Sequence, residues 1–216
     1  AHELKTPIFS IQGYILTLLE GGLEDDKINR KFLERASIST DRIVGILDDL
    51  DNITKMEDEK FQLKMESFDI VALAKETFES LELMAEEKNI SFKLEESGEP
   101  SFVVADREKI GQVLTNLVRN SIAYGKTGGS TTITIFTIDE LTTIEVKDNG
   151  IGINETEHKR LFERFYRVEK SRTRNEGGSG LGLAIVKHII ESHNQKISVK
   201  STPGIGSQFH FSLDKS

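Results

Sequence analysis

Ala1-His2-Glu3-Leu4-Lys5-Thr6-Pro7 opens the chain, and its reading decides the architecture of the remaining residues. The apolar residues that continue it, Leu4, Ile8, Ile11, Ile15 and Leu18, recur at spacings of four, three, four and three. That is the seam of a helix packed lengthwise on another helix. At about 100° per residue, His2 and Thr6 lie about 160° from the seam, one above the other as an i, i+4 pair. Both are expected in solvent, with Glu3 on the flank beside His2. An imidazole next to a carboxylate, with a hydroxyl one turn on, offers a nucleophile, a base and a polar side chain. Position alone favours an exposed histidine that has no role. Pro7 would suit the first turn of a helix, but a seam that already includes Leu4 starts the helix earlier. A proline inside it removes the bond to the Glu3 carbonyl and predicts a bend.

Moving outward, Gly21-Gly22 stops this helix and Glu24-Asp25-Asp26 favours the start of a second. Its core positions read Phe32, Ala36, Ser39, Ile43, Ile46, Leu50 and Ile53, widened by Leu33 and Leu47. Two amphipathic helices joined by a short turn form an antiparallel hairpin that leaves half its seam uncovered. A second copy is the simplest cover, predicting a homodimer with a four-helix bundle; packing on the rest of the same chain is the alternative.

Between residues 55 and 66 the heptads stop and charges cluster, which predicts a connector and two domains, 1–66 and 67–216. In the second, helices are expected at 71–88, from just after Asp106 to 122, at 161–166 and at 181–192, and strands at 90–95, 102–104, 131–138 and 142–147 as a hairpin, 196–201 and 208–213. A turn at Gly98-Glu99-Pro100 separates the first two strands, and residues 167–180 are too hydrophilic for core. The sum is a helical hairpin followed by an α+β layered domain with a mixed sheet.

A net charge of −8, with acidic residues in both halves, argues against a nucleic-acid surface, which needs a basic patch. The absence of cysteine removes disulfides and thiolate metal sites and fits a reducing compartment. No run approaches the roughly 20 apolar residues of a membrane span, and no secretory signal is visible. A chain that lacks an initial Met and opens on its chemical residues is expected to be a piece of something longer. His158, His188, His193 and His210 lack paired zinc-ligand spacing and are expected to be ordinary surface or half-buried residues.

Three stretches of the second domain carry chemistry. Gly178-Ser179-Gly180-Leu181-Gly182 opens a helix, so backbone N–H groups and the positive end of the helix dipole face an anion. Asp148-Asn149-Gly150-Ile151-Gly152 places a carboxylate at a strand end, an acceptor suited to an exocyclic amine such as that of adenine. Its two glycines would let a planar ligand approach the backbone. In Asn116-Leu117-Val118-Arg119-Asn120 the two amides share one helix face and could ligate Mg²⁺ through oxygen. Singly, each is compatible with a plain turn or surface; together they predict a nucleotide site.

In this order the motifs resemble those of bacterial sensor histidine kinases of two-component signalling, over essentially the whole chain. Residues 2–7 resemble the phospho-acceptor H box, 116–120 the N box and 148–152 the first glycine box. Phe162-Glu163-Arg164-Phe165-Tyr166-Arg167 resembles the F box, 178–182 the second glycine box, and Thr202-Pro203-Gly204-Ile205-Gly206-Ser207-Gln208-Phe209 the last glycine-bearing turn. The resemblance implies a dimerisation and phosphotransfer hairpin before an ATP-binding domain of the Bergerat type. His2 would be phosphorylated, Glu3 would be its general base, and Thr6 would orient water in dephosphorylation of the partner. Asn120, helped by Asn116, would hold Mg²⁺. Asp148 would bind the adenine amine with Tyr124 near the base and Gly150 and Gly152 beside it. Arg167 with Gly178, Gly180, Leu181 and Gly182 would meet the phosphates of ATP, residues 167–180 forming a lid. It also implies a response-regulator partner docking near residues 13–19 and 38–46, and a membrane-anchored parent with this part in the cytoplasm. The family's frequent Lys three residues after the second Asn is Ala123 here, so Lys170, Arg172 or Arg174 is expected to replace that cation. The same departure suits a degenerate kinase acting as a nucleotide-binding scaffold.

Overall fold

The computed structural model describes residues 2–56, 62–96, 100–168 and 179–216, and for His2, Glu3 and Met56 the backbone alone. Helix α1, His2–Thr17, runs through Pro7 and passes into a π-helical turn, Leu18–Gly22. The turn ends where Gly21 takes φ 115°, a conformation that glycine adopts without steric cost. Helix α2, Asp26–Met56, returns antiparallel, and Tyr14 meets the ring of Phe32 at 5.5 Å between centroids.

The seam of α1 differs from expectation. Pro7 and Leu18 are buried and Leu4, Ile11 and Tyr14 half-buried, whereas Ile8 and Ile15 are 49% and 48% exposed. An apolar repeat spread over two adjacent stripes serves two neighbours, and α2 covers only the stripe through Pro7 and Tyr14. On α2 most of the expected positions hold: Ile46 and Ile53 are buried, with Phe32, Ala36, Ser39 and Ile43 half-buried, but Leu50 is exposed because no neighbour among the described residues covers its side of the helix. Leu33 and Leu47 stay exposed.

The second unit is one mixed sheet with helices on a single face. Its strands are β1 (Met65–Asp69), β2 (Ser91–Glu95), β3 (Phe102–Asp106), β4 (Ser130–Ile138), β5 (Leu141–Asp148), β6 (Ser198–Thr202) and β7 (Gly206–Lys215). They run β1-β3-β7-β5-β4-β2, with β6 also paired to β7. Among these strands β2 and β4 pair in parallel and the other pairs are antiparallel. Strand β1 is missing from the sequence expectation because Met65-Glu66-Ser67-Phe68-Asp69 is short and polar; it forms by pairing with β3. The expected connector is correspondingly shorter, since α2 reaches Met56 and β1 begins at Met65.

Helices α3 (Ile70–Glu87), α4 (Arg107–Tyr124) and α5 (Gly182–Ser192) cover the inner face. Alternation along β4 and β5 puts Thr131, Ile133, Ile135, Ile144 and Val146 inward against α4. The core joins both units, because Ile46 and Ile53 lie in the same cluster as Leu117, Leu181 and Ile185. Residues 161–166 form successive turns rather than the expected helix, with a short 3₁₀ segment, Glu155–Glu157, before them.

One histidine departs from expectation. His193, 6% exposed, accepts from the Asp106 N–H at Nε2 (3.0 Å), which leaves Nδ1 protonated to donate to the Ile189 carbonyl (2.8 Å). The Asp106 carboxylate accepts from Lys109 N–H as the α4 N-cap and from Lys64 N–H at the end of the connector. Such long-range partners leave no trace in residue spacing.

Candidate nucleotide site

Helix α4 lines up Asn116, Asn120 and Tyr124 at successive i, i+4 positions. The last two border a cavity of about 200 Å³, whose rim also includes Asp148, Gly152 and Arg167. Asn116 stands one turn away, where a Cβ on Gly182 would lie 3.4 Å from its Oδ1. Thus α4 faces both the cavity and the start of α5.

Asp148 closes β5 and is 8% exposed. Its Oδ1 accepts from Gly150 N–H at 2.8 Å and from Ser207 N–H at 3.2 Å. Burial pushes the carboxyl above the usual Asp range, and the two N–H donors offset part of that rise. An acceptor so held is aimed rather than mobile.

The two glycines after Asp148 have a different role from the expected one. A Cβ on Gly150 would run into the Tyr124 carbonyl oxygen, and one on Gly152, at φ +67°, into the Thr202 carbonyl oxygen. Both positions admit a close approach of the chain's own backbone. Ile151 N–H reaches Tyr124 O (3.2 Å), Gly204 N–H reaches Ile151 O (2.7 Å), and Lys126 Nζ donates to Gly204 O (2.7 Å). The strand end is thereby fastened between the close of α4 and the turn at 202–206. Gly152 borders the cavity; Gly150 does not.

At the other side, Gly180 takes φ +75° and accepts from Phe165 N–H at 2.9 Å. The Leu181 side chain is fully buried in the core, so only its backbone belongs to the turn that starts α5. Arg167 reaches the cavity beside Tyr166, whose ring carries the Arg160 guanidinium 4.2 Å from its centre. Gly178, Lys170, Arg172 and Arg174 lie outside the described residues. Thr6 is exposed on α1, as expected, and takes no part in the cavity.

Several cavity residues carry no signature in the sequence. Ile153, Leu161, Leu183 and Phe209 make apolar walls, and Ser207 supplies an N–H to Asp148. The walls come from four separate segments, and only the fold gathers them. Ser207 and Phe209 stand inside the glycine-bearing turn at 202–209, so their neighbourhood was visible although their places in the cavity were not.

Comparison with known proteins agrees with this geometry. Residues 105–216 match the family described as histidine kinase-, DNA gyrase B-, and HSP90-like ATPase, a span that includes α4, the Asp148 strand end and the α5 turn. Residues 1–59 match the His Kinase A (phospho-acceptor) domain. The chain belongs to the sensor histidine kinase family. It is 35% identical over 215 residues to the sensor histidine kinase WalK of Bacillus subtilis (strain 168), covering 99% of this chain and 35% of that protein. Sensor protein kinase WalK of Staphylococcus aureus is 34% identical over 217 residues, covering 99% of this chain and 51% of that protein. The chain therefore spans about a third to a half of the length of these relatives. Among solved structures, histidine kinase ThkA in complex with response regulator protein TrrA superposes with a TM-score of 0.82 at 28% identity. That match covers 100% of this chain and 60% of the other. No helix among the described residues is long and apolar enough to cross a membrane.

Proposed function

We propose that this chain binds ATP in the cavity at Asp148, phosphorylates itself on His2, and passes the phosphoryl group to an aspartate of a response regulator. The observation that carries the reading is the Asp148 carboxylate, immobilised by two backbone N–H groups at the rim of a cavity that Asn120, Tyr124 and Arg167 share. The unit 67–216 acts as the catalytic domain and 1–66 as the phosphotransfer hairpin.

Asp148 accepts the adenine amine, the apolar walls take the base, and Arg167 with the backbone of 178–182 receives phosphate oxygens. Phosphoryl transfer then requires mainly positioning and charge neutralisation. Glu3 takes the proton from one imidazole nitrogen of His2 while the other attacks the γ-phosphorus and ADP departs. Among the described residues no group of three or more His, Asp or Glu is placed to hold a metal. Mg²⁺ would be held by the Asn120 amide, assisted by Asn116, in keeping with its preference for few protein oxygens. When bound, it neutralises the phosphate charge.

The exposed stripe of Ile8, Ile15, Leu33 and Leu47 supports a homodimer through the hairpin. Ile38 and Val44, also exposed, lie in the stretch proposed to receive the response regulator. The parent is proposed to reach the membrane through segments outside this chain. Incubation with γ-labelled ATP and Mg²⁺ tests the activity: label should be acid-labile, base-stable and absent from a His2→Gln variant. A variant labelled like the parent chain refutes it.

A further inference from the structure

The hairpin meets the nucleotide domain through a polar contact. Asp49 of α2 accepts a hydrogen bond at Oδ2 from the Ser179 hydroxyl, 2.7 Å away. The same Ser179 oxygen accepts from Leu181 N–H at 3.2 Å, one residue before α5 begins. A carboxylate is thus connected through a single hydroxyl to the positive end of a helix, where an anionic ligand would be held.

The contact has apolar support. Ile46 and Ile53 flank Asp49 on α2, are buried, and share a core with Leu181 and Ile185. Arg119, on the N-box face of α4, contributes a favourable positive charge, Asp48 a small opposing negative one. Burial is the larger influence and pushes the Asp49 carboxyl above its ordinary range, so the contact holds the charged form at some cost. A side chain kept there at a cost is easily displaced by a stronger anion.

We infer that Asp49 is an intramolecular stand-in for the nucleotide's phosphates: with the hairpin docked, its carboxylate occupies the Ser179 turn, and a nucleoside triphosphate must displace it. The inference rests on the proposed placement of ATP. It makes the docked arrangement an autoinhibited one, released by the triphosphate itself, and couples nucleotide occupancy to freedom of the domain to move along the hairpin.

Calorimetric titration of the 216-residue chain and of Asp49→Asn with the β,γ-imido analogue of ATP plus Mg²⁺, and separately with adenosine, tests it. Asparagine keeps an acceptor for Ser179 but removes the charge. The variant should bind the triphosphate about 5- to 10-fold more tightly, the scale of a part-buried charge interaction, with adenosine affinity unchanged. Equal triphosphate affinities overturn the inference. Adenosine binding to neither protein overturns the adenine site instead, and the inference with it. Because the chain has no cysteine, an Asp49→Cys, Ser179→Cys pair oxidised by copper phenanthroline gives an independent reading. Saturating triphosphate should slow cross-linking, and an unchanged rate refutes the competition.

Discussion

Asp148 has a structural role beside the proposed ligand-binding one. Its Oδ1 holds together the strand end and the start of β7 through Gly150 and Ser207, while burial makes the charged form costly. Since the folded pKa lies above the unfolded one, the favourable contribution to folding is fully present below about 3.9, the ordinary Asp value. It is lost as pH rises through the folded value. Ligand binding has the opposite sign, because an amine donor prefers the ionised acceptor. Adenine-nucleotide affinity is therefore expected to weaken on acidification at a pH above the ordinary Asp range, as measured by titrating affinity against pH. Asp148→Asn should leave the thermal midpoint unchanged or higher and lower adenine-nucleotide affinity by about 10-fold or more, the effect of setting an amide donor against an amine. Gly152→Ala combines a positive φ with a collision at the Thr202 carbonyl. It should destabilise the fold by about 2 kcal/mol or more, read from urea unfolding.

At the scale of elements, α4 and α5 determine whether the site exists, because they carry Asn120 and Tyr124 on one side and the Gly180 turn on the other. Their far ends are joined through His193, which links the close of α5 to the N-cap of α4 by way of Asp106. Replacing His193 with Leu strands the buried Asp106 N–H. It should cost about 1–3 kcal/mol in urea unfolding, the penalty for an orphaned buried donor. The hairpin is built differently: α1 divides its apolar residues between an inner stripe, from Pro7 through Tyr14 to Leu18, and an outer one at Ile8 and Ile15. A uniform heptad spacing cannot say which stripe meets which neighbour, since both satisfy the same repeat.

For the whole molecule, the outer stripe and the shared core pull in distinct directions: one asks for a second chain, the other ties α2 to α5 within the same chain. Ile15→Asp should weaken dimerisation by about 100-fold or more, since a two-fold interface feels the lost apolar burial twice. Sedimentation equilibrium reads this directly, and the melting of the α/β unit should be unmoved. Local chemistry was legible from residue order alone: the helical hairpin, the start of α4 after Asp106, the β4–β5 hairpin and the amide, carboxylate and glycine stretches around the cavity. These depend on periodicity and on residue types whose behaviour is set within a few positions along the chain. Strand β1, the burial of His193, the apolar walls at Ile153, Leu161 and Leu183, and the meeting of Asp49 with Ser179 were decided only by the tertiary structure. Each depends on groups distant in sequence being brought within bonding or packing distance, and residue spacing carries no information about a partner supplied by another element.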